Sequence, residues 1–185
     1  MPLAVLCTGI VQRAKGAADV VAELLDGLHD ELSLVAAGID APLFWQAAGD
    51  RMVDQMVRSK ISQCGASSST VNNVNSMPGA CVIQGMMAAM LLRKTYLNIA
   101  LTESHPKALL SLLGKRREST SLTDLPAYFT IATPKAMSED ERDAALGALA
   151  AYAMSASLNG WQDLYPHEMD AITPLDPRPG YWMPW

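Results

Sequence analysis

The chain has 185 residues, a formal net charge of -5 and a sequence pI near 5.1. A chain of this length suits one domain with a sizeable hydrophobic core. The acidic balance and the lack of a basic stripe argue against general nucleic-acid binding. Half of the residues are hydrophobic but only 6% are aromatic, a composition that favours packed helices over an aromatic-rich β sandwich.

The N-terminal half predicts two amphipathic helices. From Val11 to Val35 the apolar residues recur at three- and four-residue steps, which places them on one helical face. Gly38 ends this helix. Asp40 is suited to cap a second helix, which begins at Pro42 and runs to about Ile61.

A polar Gly/Ser/Asn-rich segment, Ser62 to Cys81, separates the second helix from a third at about 80–100. This third helix is apolar around most of its circumference through Leu92, which requires neighbours on nearly every side. We therefore predict that it is the central helix of the fold. A short helix follows, beginning at Pro106 and ending at Leu113.

The next segments predict one strand and one more helix. Tyr128 to Ala132 lies between two prolines and is the only stretch with convincing strand chemistry, at 128–132. Ser138 and Glu141 have the spacing of a capping box, which predicts a helix start. Half of the residues on the apolar stripe of this helix are small, which allows another helix to approach closely.

The last segment, 161–185, contains five prolines and no periodicity, yet it is rich in aromatic residues. Prolines reduce the entropy lost on ordering, and aromatic side chains offer large apolar contact areas. We therefore predict an extended C-terminal arm that docks on its own body or on a partner. The candidate interaction residues of this arm are Trp161, Tyr165, Tyr181, Trp182 and Trp185.

Together these patterns predict an all-α fold: a single domain of about five helices packed around the helix at 80–100. At most one short strand is expected, at 128–132. The helical domain would comprise residues 1–160 and the extended arm residues 161–185.

The cysteines and histidines are the candidate catalytic residues of this sequence. Cys81 follows a turn and lies near the predicted start of the third helix, where backbone N–H groups lower a thiol pKa. Cys64 is an alternative nucleophile, and His105 or His167 would be the base. Burial of Cys81 as a small hydrophobe is the competing interpretation, and we prefer it.

No cofactor or metal site is predicted, because the three histidines lack paired spacing and the three cysteines show no CxxC motif. The apolar N-terminus has no positively charged region, so we expect no signal peptide. The strongest apolar run is shorter than the ~20 residues that span a bilayer, so no transmembrane segment is expected. These features predict a cytoplasmic location, or one inside a virion assembled there.

The preferred functional hypothesis is a non-enzymatic structural protein, an assembly subunit of a shell, capsid layer or secretion-type complex. It would associate with copies of itself or with protein partners through its aromatic arm and its helix faces. The alternatives are a cysteine-dependent hydrolase or transferase and a helical adaptor or chaperone. The adaptor would bind a helical peptide in a methionine-lined groove formed by Met52, Met56, Met77, Met86, Met87 and Met90.

Overall fold

The centre of the fold is a mixed four-stranded sheet. The computed structural model describes residues 21–23, 25–26, 34–46, 50–73, 79–114 and 138–185. The strands are β1 (Ala36–Ile39), β2 (Ala100–Glu103), β3 (Trp161–Asp163) and β4 (Gly180–Pro184), in the spatial order β1-β2-β4-β3. β1, β2 and β4 are parallel, and β3 is antiparallel to β4. The prediction of an all-α fold with at most one short strand is therefore wrong.

β1 and β2 escaped prediction because they are short and carry little strand signal. β1 reads Ala-Ala-Gly-Ile and β2 reads Ala-Leu-Thr-Glu, so neither is rich in aromatic or β-branched residues. Their backbone hydrogen bonds come from partners distant in sequence. Ala36 of β1, for example, pairs with Ala100 of β2.

Four complete helices accompany the sheet in the described part of the chain. They are α1 (Met52–Gln63), α2 (Gly79–Thr95), α3 (Pro106–Leu112) and α4 (Glu139–Ala156). Short 3-10 turns lie at Ser68–Thr70 and Tyr165–His167. Residues 21–23 and 25–26 are also helical, within the first predicted helix. α1 begins at Met52 rather than at Pro42, whereas α3 begins at Pro106 as predicted.

The predicted capping box at the start of α4 is confirmed. The Glu141 backbone N–H donates to the Ser138 hydroxyl at 3.2 Å, and the Ser138 backbone N–H donates to the Glu141 carboxylate at 2.7 Å. Each side chain thus satisfies a backbone donor that the first helical turn leaves unpaired.

α4 packs closely along β1 and β2, and small residues permit this contact. A Cβ added to Gly38 of β1 would lie only 2.0 Å from the backbone oxygen of Gly147 in α4. The small-residue face of α4 therefore packs on a sheet, whereas the sequence predicted a neighbouring helix.

The helix predicted to be central, α2, is peripheral. It ends at Thr95, and Ala100 begins β2 instead of ending the helix. Ile83, Met87 and Met90 on α2 are 60%, 49% and 55% exposed. The sheet and α4 form the centre of the fold instead of α2.

The segment 161–185 folds into the sheet and supplies both β3 and β4, instead of forming an extended arm. Tyr181 and Met183 of β4 are completely buried, and Trp161 and Tyr165 are 7% exposed. β4 pairs with β2 on one side and with β3 on the other, which satisfies its backbone groups within the chain. The strand predicted at 128–132 lies outside the described residues. No helix in the described segments is long and apolar enough to cross a membrane.

Candidate functional site

The carboxyl ends of β1 and β2 lie side by side and define one edge of the sheet. Ile39, the last residue of β1, pairs with Glu103, the last residue of β2. Asp40 and His105 therefore follow the two strands at the same edge. Ligands of open α/β sheets bind outside the carboxyl ends of parallel strands, so this edge is the place to search for a site.

A buried arginine, Arg51, organises the charges behind this edge. It precedes α1, is inaccessible to solvent, and lies with its guanidinium 4.4 Å from the centre of the Phe44 ring. Arg51 donates two hydrogen bonds to the Glu103 carboxylate, at 2.6 and 2.8 Å. It donates two more to Asp54, both at 2.8 Å. Such paired contacts are among the strongest that a carboxylate makes.

The environment of Glu103 keeps its carboxylate ionised. Burial alone would raise the pKa of Glu103, but the positive charge of Arg51 and the His105 imidazole hold that pKa at about 2. The Leu43 backbone N–H donates a further hydrogen bond to Glu103 at 2.9 Å. For Arg51, burial opposes the charged form, yet its two carboxylate partners raise the guanidinium pKa.

His105 joins this network from the start of α3. Its Nε2 lies 3.2 Å from Glu103 Oε1 and 3.8 Å from Asp54 Oδ1. The contact with Glu103 is a close ion pair rather than a regular hydrogen bond. Burial lowers the pKa of His105, but the two carboxylates outweigh that effect, so the net shift is upward. The Tyr181 ring centre is 5.7 Å from the imidazole.

The two carboxylates and the imidazole of this network do not form a suitable metal site. One ligand atom from each of Asp54, Glu103 and His105 lies within 4.8 Å of the other two. However, Arg51 already donates four hydrogen bonds to the two carboxylates, and a cation would have to enter beside its guanidinium. Like-charge repulsion and the loss of those bonds oppose metal binding here.

A polar cavity of about 150 Å³ opens at the same edge of the sheet. This volume corresponds to roughly five water molecules at their share of liquid volume. It is therefore large enough for a small molecule or for one end of a larger one. The polar residues that line it are Asp40, Thr70, Asn72, His105 and Lys107.

Asp40 differs from the other carboxylates near the cavity because no described residue forms a salt bridge with it. Arg51 forms salt bridges with Glu103 and Asp54, and the Arg142 guanidinium lies 2.8 Å from Asp143. No salt bridge of Asp40 occurs among the residues that the structure describes. Although Asp40 reaches solvent, desolvation by the surrounding protein raises its pKa, and Asp143 adds to that effect while His105 opposes it.

Of the four residues predicted from sequence as candidate catalytic groups, only His105 lines the cavity. Cys81 lies near the start of α2, as expected, but burial and the nearby charges of Asp40 and Glu103 raise its thiol pKa. A raised pKa disfavours the reactive thiolate. Cys64 is exposed at the end of α1, and His167 is exposed in a 3-10 turn.

The aromatic residues predicted to mediate interactions are distributed between core and surface. Trp161, Tyr165 and Tyr181 are buried in the core of their own chain. Trp182 is partly buried, and its backbone N–H donates to the Thr102 hydroxyl at 3.0 Å. Trp185 is 41% exposed, and the Lys60 ammonium lies 5.1 Å from its ring centre.

Part of the predicted methionine group lines a second cavity beside Trp185. This cavity has a volume of about 430 Å³ and is bounded mainly by α1 residues, including Met52 and Met56. The remaining methionines do not join it: Met86, Met87 and Met90 lie on α2, and Met77 lies outside the described residues.

Comparisons with protein-family models, with curated proteins and with solved structures each found no match for this chain. The site must therefore be interpreted from its own geometry.

Sequence reasoning missed five residues at this edge: Asp40, Arg51, Asp54, Glu103 and Lys107. Asp40 was interpreted as a helix cap because the strand before it was not recognised. The available signal was a carboxylate directly after the apolar segment ending at Ile39, together with Glu103 and His105 just before a proline-started helix.

Proposed function

We propose that this protein is an enzyme, a hydrolase or transferase, that performs acid–base chemistry on the polar end of a substrate at the carboxyl edge of β1 and β2. The supporting observation is the convergence of Asp40, His105 and Lys107 on one cavity at that edge. Titratable groups with perturbed pKa values that share a cleft are typical of functional sites.

Asp40 is assigned the role of general base. It has no salt-bridge partner among the described residues, and its raised pKa makes its carboxylate a stronger base than an ordinary aspartate. A base of this kind removes a proton from water or from a substrate hydroxyl. That step generates the nucleophile for hydrolysis or group transfer.

His105 is assigned the role of general acid. Its raised pKa favours the imidazolium, which has a proton to donate to a leaving group. The two assignments are complementary, because Asp40 accepts a proton and His105 supplies one within the same cavity.

Lys107 is assigned to substrate binding. Its ammonium lies 2.7 Å from the Glu139 carboxylate in a partly exposed ion pair. Such pairs contribute only about 0–1 kcal/mol, so the ammonium is able to exchange Glu139 for an anionic substrate group. Thr70 and Asn72 add a hydroxyl and an amide to the cavity wall.

The experiment compares hydrolysis of p-nitrophenyl acetate and p-nitrophenyl phosphate by the wild type, D40N and D170N. Asp170 is an exposed carboxylate away from the cavity, so D170N controls for the loss of one negative charge. We expect D40N to lower kcat/KM by about 10²- to 10⁴-fold and D170N to retain activity. Equal activity of both variants, or no wild-type activity together with no binding of acetate or phosphate at the cavity, would refute the proposal.

A second candidate function, self-association, is supported by one surface. Ile83, Met87 and Met90 are spaced by four and three residues, so they lie on one face of α2, and each is about half exposed. An exposed apolar stripe is a common feature of subunit contacts. The proposed assembly role would then use α2, because most of the C-terminal aromatic residues are buried in their own chain.

Light scattering over a concentration series tests this second function. We expect a concentration-dependent oligomer that M87E dissociates, because a buried unpaired charge is costly at an apolar contact. L97E is the matched control, since Leu97 is 76% exposed and lies outside α2. A wild-type protein that stays monomeric throughout the series would exclude self-association through this face.

A further inference from the structure

We propose that Glu103 is a positioning residue that fixes the His105 ring with Nε2 turned toward the buried carboxylates, leaving Nδ1 as the nitrogen that serves the cavity. The inference deepens the proposed function and rests on it, because it assigns the proton-donating atom of the same site. It follows from three geometric observations: the position of Nε2, the rigidity of Glu103 and the charges packed around the ring.

The first observation is the orientation of the imidazole. Nε2 is buried and lies 3.2 Å from Glu103 Oε1, while His105 itself lines the cavity. A histidine has two chemically distinct nitrogens, and a partner that holds one of them sets the role of the other. With Nε2 directed inward, Nδ1 is left for a ligand in the cavity.

The second observation is that Glu103 cannot turn away from His105. Both of its carboxylate oxygens accept hydrogen bonds from Arg51, and one also accepts the Leu43 backbone N–H. Its side chain is completely inaccessible to solvent. A carboxylate fixed on both oxygens is a rigid support for the ring, because reorientation would leave buried donors unpaired.

The third observation is the balance of charge around the ring. Among the described residues, the charged and titratable groups near His105 come from several elements: Asp40, Arg51, Asp54, Glu103, Lys107 and Tyr181. Among the buried members, two carboxylates oppose one guanidinium. A protonated imidazole brings the net charge of these buried groups to zero, and buried charges are stable only when they are paired in this way.

The proposal implies a specific path for the proton. The imidazolium carries N–H bonds at both nitrogens. Nδ1–H is the bond that breaks when the leaving group of the substrate takes its proton, and the electron pair of that bond remains on Nδ1. The ring is then a neutral imidazole that keeps Nε2–H toward Glu103.

The test is nitrogen NMR of the histidine ring in the full-length wild-type protein as a function of pH, with H105Q identifying the His105 signals. We expect both nitrogens of His105 to be protonated at pH 6.5 and the titration midpoint to lie above the ordinary value of 6.5. Above the midpoint the proton should remain on Nε2. A midpoint at or below 6.5, or a neutral ring protonated on Nδ1, would overturn the proposal.

Two variants separate positioning from general stabilisation. E103Q removes the negative charge with little change of shape, and we expect the midpoint to fall to 6.5 or lower. Y181F removes only the hydrogen bond from Tyr181 to Asp54, at 3.3 Å, and should leave Nε2 as the protonated nitrogen. If E103Q does not fold, the wild-type protonation pattern still decides the question.

Addition of inorganic phosphate completes the test. We expect phosphate to shift the Nδ1 signal of His105 more than the Nε2 signal, whereas a larger Nε2 shift contradicts the assignment. The result is separable from the failure of the proposed function. A raised midpoint with Nε2 protonated, in a protein whose hydrolysis is insensitive to D40N, would retain the positioning and reject the enzyme proposal.

Discussion

Asp40 combines a potential chemical role with a cost in stability. Desolvation raises its pKa in the folded protein above the ordinary value of 3.8, so its ionised form is less favourable in the fold than in the unfolded chain. The contribution of Asp40 is therefore most favourable at low pH and is lost as the pH rises through the folded-state pKa. Functional residues are commonly maintained at such a cost.

We therefore expect D40N to stabilise the protein at pH 7. The amide carries no charge to desolvate, so we expect a small rise in Tm, because solvent screens the charge of this exposed side chain and limits the effect. Thermal denaturation of the wild type and D40N at pH 7 measures the difference. A lower Tm for D40N would show that Asp40 makes a net favourable contact.

Arg51 is the residue on which the buried charges depend. Without it, Asp54 and Glu103 would remain as two buried carboxylates close to each other. We expect R51M to lower the free energy of unfolding by about 3–5 kcal/mol, as removal of one partner from a buried ion pair does. Urea denaturation at pH 7 provides the measurement.

Arg178 offers the matched control for this arginine. It pairs with Asp163 at 3.1 Å on the surface and is 47% exposed. R178M should cost only about 0–1 kcal/mol, because exposed ion pairs contribute little. Similar losses for R51M and R178M would contradict the central role of the buried network.

The pKa shifts of Glu103 and His105 predict a pH range in which this pair stabilises the fold most. Glu103 has a folded-state pKa of about 2 against an ordinary 4.5, so its contribution is complete above pH 4.5 and is lost as the pH falls toward 2. The pKa of His105 is raised above 6.5, so its contribution is complete below pH 6.5 and is lost as the pH rises through its folded-state pKa.

We therefore expect the contribution of this pair to be greatest between pH 4.5 and 6.5. Urea denaturation from pH 2 to pH 9 measures the profile. H105Q should flatten the alkaline side and leave most of the acid side unchanged, since Glu103 and Arg51 remain. An alkaline decline that persists unchanged in H105Q would assign it to other groups, among them Asp40.

The contact between α4 and β1 shows how two elements depend on a single small residue. Gly38 and Gly147 approach so closely that a Cβ on Gly38 would overlap the backbone of α4. A backbone oxygen cannot move aside as the end of a flexible side chain can. The helix as a whole would have to shift away from the sheet.

We expect G38A to destabilise the protein by about 3 kcal/mol or more, at or beyond the upper part of the range for overpacked cores. In G147A the added Cβ would lie 3.3 Å from the Gly38 oxygen, a contact that a small shift relieves. G147A should therefore cost less. Urea denaturation of both variants measures the difference, and equal losses would show that the close approach is not the limiting contact.

Prediction succeeded for those elements whose signals are local. The capping box of α4 lies within four residues, and the start of α3 is marked by Pro106. It failed where the same residues suit two structures. Ala100 fits the end of an apolar helix as well as it fits a strand, and only its pairing with Ala36 selects the strand.

The C-terminal segment is integral to the molecule as a whole. β4 lies between β2 and β3, and its Tyr181 and Met183 side chains are completely buried. Loss of a buried methionine or tyrosine typically costs about 2–5 kcal/mol, whereas a whole domain is stable by only about 5–15 kcal/mol.

We therefore expect deletion of residues 180–185 to abolish cooperative folding, because it removes both buried side chains together with a strand. W185A is the control within the same segment, since Trp185 is 41% exposed, and it should retain a cooperative transition. Near-UV circular dichroism and thermal denaturation distinguish the two outcomes. A truncated protein with a native-like transition would show that β4 is a dispensable arm.

The sequence by itself determined the features that depend on neighbours along the chain: helix starts, the small-residue face of α4 and the acidic balance. Only the tertiary structure decided that the aromatic C-terminus is a strand, that α2 is peripheral and that Asp40 and His105 share a cavity. These features depend on pairing between β1, β2 and β4, which are separated by about 60 to 80 residues from strand to strand. Hydrogen bonds and ion pairs over such separations leave no periodic signal in the sequence, since the partners meet only when the sheet forms.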